Sequence, residues 1–312
     1  MSKSLTSHRP GLAISLKIVA ISMFSVMAAL IKATSGHVPP GEAVFFRSFF
    51  AIPVILVWLV MRGQLRQGLI AKKPMGHVWR GVIGTTAMGM TFAGLGMLPL
   101  PEVTAIGYAT PIFTVILAAV MLGERIRLIR LTAVLLGLVG VAIMLSPRLG
   151  SGATMQDTAT LGAVLILIAT MARALVQIHV RKMVETEHTA AIVFYFSVTA
   201  SCLALLSAPF GWVMPSGEIL ALLMMSGVLG GIAQILVTAS YRFGAASMLA
   251  PIDYTSMLSA ILIGYIWFGE LPTMVMMIGA TLVIAGNILV IWRERQLGLE
   301  RRRARSVNDP KG

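Results

Sequence analysis

The chain has 312 residues, 57% of them hydrophobic and 12% charged, with a mean hydropathy of +0.88. A water-soluble domain of this length carries about 25% charged residues, so the composition excludes a soluble enzyme or binding module and sets most of the surface against lipid. The net charge of +13 invites a nucleic-acid reading, but the cations lie in short connections between apolar runs; the bilayer, and no nucleic acid, is the partner they imply.

A membrane-spanning helix takes about 20 apolar residues at roughly 1.5 Å rise each. In chain order the predicted spans are Ala13–Ala33, Ala43–Met61, Val78–Met97, Val103–Leu122, Leu131–Ser146, Leu161–Val180, Ala190–Phe210, Ile219–Ser240, Ala245–Phe268 and Thr273–Trp292. The first follows a basic N-terminus, yet its apolar run exceeds that of a signal peptide and no small-residue cleavage site follows it; it is read as retained. The residues fall into a half at 1–147, an outside linker at 148–160, a half at 161–295 and an Arg-rich tail at 296–312 that should be disordered or lie on anionic lipid. Loop cations stay on the cytoplasmic side. With the N-terminus inside, Lys3, Arg9, Lys17, Arg62, Arg66, Lys72, Lys73, Arg80, Arg125, Arg127, Arg130, Arg181, Lys182, Arg242 and the tail arginines are all inside. Arg148 alone falls in an outside loop, which predicts a multi-pass protein of the bacterial-type inner (cell) membrane with both termini cytoplasmic.

The fourth span with its exit reads YATPIFTVILAAVMLGE (Tyr108–Glu124), and the ninth reads YTSMLSAILIGYIWFGE (Tyr254–Glu270). Tyr108 falls on Tyr254, Gly123 on Gly269 and Glu124 on Glu270, each displaced by 146 residues (270 − 124). Five spans per repeat is an odd number, so the second copy enters from the opposite side. The fold class is therefore an all-α membrane protein of ten transmembrane helices in two inverted five-helix repeats. Such repeats place a site near the midplane between the halves and offer two related conformations, one open to each side.

Intramembrane polar residues are costly and usually face protein or water. Thr170, Arg173, Gln177 and Arg181 recur at spacings of three and four, one stripe of the sixth helix, read as cavity-facing or as a structural ion-pair locus. Asp253 is the deepest carboxylate and lies at the depth of Arg173, so the two are expected to pair, directly or through water. A titrating Asp253 would couple proton movement, a role that pairing opposes. Arg47 either snorkels to the outer headgroups or acts inside the bundle. Lys32 and Glu42 share the outer rim, as a lid pair or as two solvated loop ends. Gly123 and Gly269 suit left-handed helix caps, and Glu124 and Glu270 should bind neighbouring helix ends or basic residues. Tyr108, Tyr254, Gln234, Ser226 and Trp79 are cavity contacts, helix–helix hydrogen-bond groups or interfacial anchors. Met23, Met27, Met88, Met90, Met224, Met225 and Met257 either line a pliable cavity or, the favoured reading, pack against lipid or core.

The segment PPGEAVFFRSFFAIPVILVWL (Pro39–Leu59), the Tyr108–Glu124 segment, its echo at Tyr254–Glu270, and Lys32 ending the first span resemble the EamA family of the drug/metabolite transporter superfamily. The resemblance implies ten helices in two inverted halves around a central solute cavity lined by helices one to four and six to nine. It also raises a gating or structural role for Arg47. Substrates of such a family include exported amino acids, drugs, and vitamins or nucleoside-like metabolites taken up, riboflavin among them.

The chain lacks an intramembrane His-x-x-x-His pair, an Asp-rich diphosphate motif, a Gly-x-Ser-x-Gly elbow and a P-loop. The single cysteine, Cys202, excludes an internal disulfide and a multi-thiolate metal site. No catalysis, cofactor or metal is expected. The sequence reads as a secondary or facilitated transporter, monomeric or homodimeric, moving a small organic metabolite by alternating access. A flat vitamin such as riboflavin in a weakly charged pore is the favoured solute, export of amino acids or drugs the alternative, and a channel or membrane scaffold the reading from another class.

Overall fold

A computed structural model describes residues 9–122, 128–149, 158–244 and 249–307. Every described element is helical. Four stretches are long and apolar enough to cross a membrane: α1 (Pro10–Thr34), the pair α2 (Pro40–Phe49) and α3 (Ala51–Met61), α9 (Thr158–Thr186) and α11 (Gly217–Phe243). A short α4 (Leu65–Gly68) leads into α5 (Pro74–Met97). There follow α6 (Leu100–Gly107), α7 (Thr110–Leu122), α8 (Leu128–Leu149) and α10 (Thr189–Leu205). A 3₁₀ helix (Ala250–Tyr254) runs into α12 (Thr255–Phe268), and α13 (Met274–Val307) closes the chain.

Prolines set both the starts and the breaks. Pro10, Pro40 and Pro74 open α1, α2 and α5, where a missing N–H costs nothing. Pro53 withholds a donor from the Phe49 carbonyl, and the path of α2 bends at Phe50 before α3 resumes. Pro111 does the same to the Gly107 carbonyl, which instead accepts from Thr110 Oγ1 at 2.8 Å. Two turn residues, Tyr108 and Ala109, separate α6 from α7. The 3₁₀ helix breaks the corresponding place in the second half, ending at Tyr254. The fourth and ninth predicted spans are thus each interrupted at the same tyrosine register.

Of the two alternatives for the tail, disorder is not what the structure shows for residues 296–307. Residues 296–307 continue α13 as helix. Leu297, Leu299, Glu300, Ala304 and the arginines are good helix formers, which outweighs the single Gly298. Gly123, Glu124 and the centre of the linker lie outside the described residues.

Helices pair as α1 with α11, α5 with α9, and α8 with α13. At the last crossing the backbones come very close: a Cβ on Gly140 would sit 2.6 Å from the Gly279 carbonyl oxygen, so only glycine fits there. The bundle has two recognisable ends. At one, Glu187 in the turn between α9 and α10 accepts from the backbone N–H groups of Lys72 (3.0 Å) and Lys73 (2.8 Å), and the Arg9 N–H donates to the Phe243 carbonyl at 3.0 Å. At the other, Glu270 meets Lys32 at 2.9 Å and accepts from the Leu100 N–H at 2.8 Å. The largest apolar cluster, with Ile31, Val38, Val44, Leu95, Leu98, Leu100 and Leu223, packs toward this Glu270 end.

Candidate functional site

A cavity of about 530 Å³ lies between the helices. That volume falls in the range of small-molecule sites. Arg47, Tyr108, Arg173, Gln177, Gln234, Asp253 and Tyr254 all line it, with Met27 and Met88. Helical spacing explains the α5 wall: Arg80, Gly84, Ala87, Met88, Thr91 and Leu95 recur every three or four residues. The walls come from both halves of the chain.

The two broken helices meet at the cavity. Tyr108 and Tyr254 pack edge to face with centroids 5.2 Å apart. The Tyr108 hydroxyl donates to the Tyr254 carbonyl at 3.1 Å and lies 2.9 Å from Ser256 Oγ. Asn287 of α13 donates to the Tyr108 carbonyl at 2.9 Å. These contacts satisfy carbonyls that an unbroken helix would have bonded internally.

The expected Arg173–Asp253 ion pair does not form. Asp253 pairs with Lys17 instead, at 2.8 Å, and Lys17 also donates to the Tyr241 hydroxyl at 3.1 Å. The reason is packing: α1 runs against the 3₁₀ helix that carries Asp253. Arg173 donates to Thr170 Oγ1 at 2.9 Å on its own helix, and its Nε has no hydrogen-bond partner. Of the stripe, Arg173 and Gln177 line the cavity, whereas Thr170 is fully buried; the Arg181 side chain is not among those described.

Arg47 is 2% exposed and faces the cavity, so it does not snorkel to headgroups. Lys32 and Glu42 form no lid pair, nor are they solvated ends. Lys32 is held by Glu270 and by the Leu95 and Leu98 carbonyls at 3.2 and 2.6 Å. Glu42, 1% exposed, accepts from the Val213 N–H at 3.1 Å. Lys32 is taken by the free carbonyls at the end of α5, and Glu42 by a loop amide ahead of α11. Gly269 adopts φ 66°, a left-handed cap to α12. Ser226 is buried and donates to the Leu223 carbonyl, and Trp79 faces outward; neither lines the cavity.

Two cations assigned from sequence to the cytoplasmic rim belong to the cavity. Lys17 is 3% exposed and Arg80 4%. The pore is therefore not weakly charged: Lys17, Arg47, Arg80 and Arg173 line it against one carboxylate, Asp253. Phe196 of α10 was also missed; the Arg80 and Arg47 guanidinium carbons lie 4.0 and 5.8 Å from its ring centroid. The signal for Arg80 was available in its helical register with Gly84, Ala87 and Thr91.

Known proteins agree with this architecture. The chain is 28% identical over 255 residues to the S-adenosylmethionine uptake transporter of Rickettsia prowazekii, covering 82% of this chain and 84% of that one. It is 29% identical over 284 residues to the pseudopaline exporter CntI of Pseudomonas aeruginosa, covering 88% and 92%. An uncharacterized transporter of Helicobacter pylori matches at 25% over 288 residues, covering 89% and 93%. A crystal structure with a TM-score of 0.65 and 20% identity, covering 91% of this chain and 98% of its own, has the same fold. The model of the EamA-like transporter family matches twice, at residues 11–146 and 160–292. The chain is a multi-pass membrane protein and belongs to the EamA-like transporter family.

Proposed function

We propose that this protein is a secondary or facilitated carrier that moves a small organic metabolite across the inner membrane by alternating access between two inverted halves. The observation that carries the reading is a cavity walled by both halves, at which the fourth and ninth spans are each interrupted at the equivalent tyrosines Tyr108 and Tyr254. Discontinuous helices around a midplane cavity are how transporters expose backbone polar groups to a solute. The helix pairings support the inversion. Counting α2–α3, α6–α7 and the 3₁₀ helix with α12 as single spans, and leaving out the four-residue α4, gives ten. Exchanging spans one to five with six to ten then turns the α1–α11 pair into α9–α5, and α2–α11 into α10–α5, all of which occur.

By the distribution of loop cations, the Glu187 end faces the cytoplasm. The cavity reaches toward that end, where Val184 and Tyr241 line it, while apolar side chains and the Lys32–Glu270 pair close the other. We read this conformation as the one closed at the Glu270 end.

The relatives take up S-adenosylmethionine or export pseudopaline, which supports a small metabolite and leaves direction to experiment. Riboflavin finds no support: neither relative is named for it, and four cationic side chains replace the weakly charged pore on which that choice rested. Flux in proteoliposomes tests the class. Saturable counterflow with trans-stimulation is expected for a carrier. Linear, unsaturated flux would make the protein a pore, and no flux with any of a broad metabolite panel would leave a scaffold.

A further inference from the structure

We infer that the cavity grips its solute by an anionic group, a carboxylate or a phosphate, held between Arg47 and Arg80 beside Phe196. This rests on the carrier reading and narrows it to organic anions. Arg47 on α2 and Arg80 on α5 are 2% and 4% exposed, and both line the cavity. One ring, Phe196, lies against both guanidinium groups. A ring contact of this kind offers no acceptor to their N–H groups. Nε and Nη1 of Arg47, and Nε and Nη1 of Arg80, have no hydrogen-bond partner. Arg47 Nη2 has only a long contact, 3.4 Å, to the Gly230 carbonyl. Among the described residues no carboxylate pairs with either arginine, or with Arg173. Asp253 is already engaged by Lys17.

Burying one unpaired charge is expensive, and two like charges beside the same ring oppose each other further. An arriving oxyanion relieves both costs at once, and the planar guanidinium fork matches carboxylate or phosphate oxygens two at a time. A cation gains nothing at this pole. Gly230 lets α11 pack directly against the Arg47 side chain: a Cβ there would lie 2.9 Å from Arg47 Nε and 2.8 Å from Met27 Sδ. The cavity also has apolar stretches of wall, with Phe24, Met88, Phe92 and Val176, so the anionic head belongs to a solute with a carbon skeleton.

The test uses the full chain purified in detergent, with four probes: succinate, its uncharged isostere succinamide, glycerol 3-phosphate and choline. Thermal stabilisation is expected with succinate, glycerol 3-phosphate or both, and which of them acts distinguishes a carboxylate from a phosphate head. Succinamide and choline should do nothing. Arg47→Gln and Arg80→Gln should each weaken the anion effect roughly tenfold or more, the loss of a charge-assisted bond, while Arg80→Lys retains part of it. Should the glutamine variants fail to fold, phenylglyoxal labelling of the wild type gives the same answer: the active anion, and not succinamide, should protect Arg47 and Arg80. Equal stabilisation by succinamide or choline, an anion effect untouched in both glutamine variants, or absence of arginine protection would each overturn the assignment. Anion binding without saturable counterflow would instead remove the carrier reading and leave this site standing.

Discussion

Lys17 lies within the first two turns of α1, among Leu12, Ile14 and Ile18. Its Nζ is satisfied by the Asp253 carboxylate and the Tyr241 hydroxyl, groups on two other helices. Asp253 is half-exposed to the cavity and Lys17 is not; their side-chain exposures are 42% and 4%. Solvent therefore compensates the carboxylate far better than the ammonium if the pair is split. Asp253→Asn should destabilise the protein by about 1–3 kcal/mol, because it strands a buried ammonium. Lys17→Met should cost less, and the double variant should be more stable than Asp253→Asn alone. Thermal unfolding of the four proteins checks this; additive losses would mean that the two groups act independently. The pairing was not legible in the sequence for a physical reason. Counting cations by loop sums charge without regard to helical register, so Lys17 and Arg80 were drawn to the rim. Depth along the helix suggested Arg173 as Asp253's partner, but depth says nothing of azimuth, and Arg173 faces Thr170 and the backbone near Gly107.

At the level of elements, the apolar runs were legible because lipid makes every spanning helix declare itself by composition. The tyrosine echo between Tyr108 and Tyr254 was legible too, and it marks the breaks in both broken helices. Less legible were helix starts, since hydropathy overlooks the polar first turns: α5 begins at Pro74, four residues before its predicted span, which moves Arg80 inward by a turn. The connection ahead of it is tied down by one carboxylate. Burial alone would push the Glu187 carboxyl up, but donation from the Lys72 and Lys73 amides, with His77 nearby, holds it below the usual carboxylate range. A folded-state pKa below the unfolded one contributes stability that is present above about pH 4.3 and is lost as the pH falls through the folded value. Glu187→Gln should therefore cost about 1.5–3 kcal/mol near neutrality. The gap to wild type should narrow as the pH is lowered toward about 3. Hydrogen exchange at the Lys72 and Lys73 amides, corrected for intrinsic rates, reads this directly; a gap independent of pH would show that ionised Glu187 is not the clamp.

Across the whole molecule, the carrier proposed above would seal one end while opening the other, and the sealed end is where its bistability should be adjustable. Phe92 separates the central cavity from a smaller void of about 190 Å³ at the Glu270 end, lined by Ile31, Ser35, Val38 and Met97. Over that barrier Lys32 binds Glu270 and the carbonyls of Leu95 and Leu98, while Glu270 holds the start of α6 through the Leu100 amide. These contacts join α1, α5, α6 and the end of α12, elements of both halves. If the halves rock, they must separate there, and nothing else among the described ion pairs guards that end. Glu270→Gln keeps an acceptor for the Leu100 amide but removes the charge facing Lys32. Losing about 2 kcal/mol from the closed state alone shifts the ratio of the two conformations roughly thirtyfold. With Cys202→Ser as background, a cysteine at Thr104 on the cavity wall reports access. An impermeant maleimide added from the outside should label it slowly when Glu270 is intact and much faster in Glu270→Gln. Labelling from the cytoplasmic side should change in the opposite sense. Equal outside labelling in the two backgrounds would mean that Lys32 and Glu270 staple the fold without gating it, and the barrier would then have to be Phe92 and its apolar neighbours.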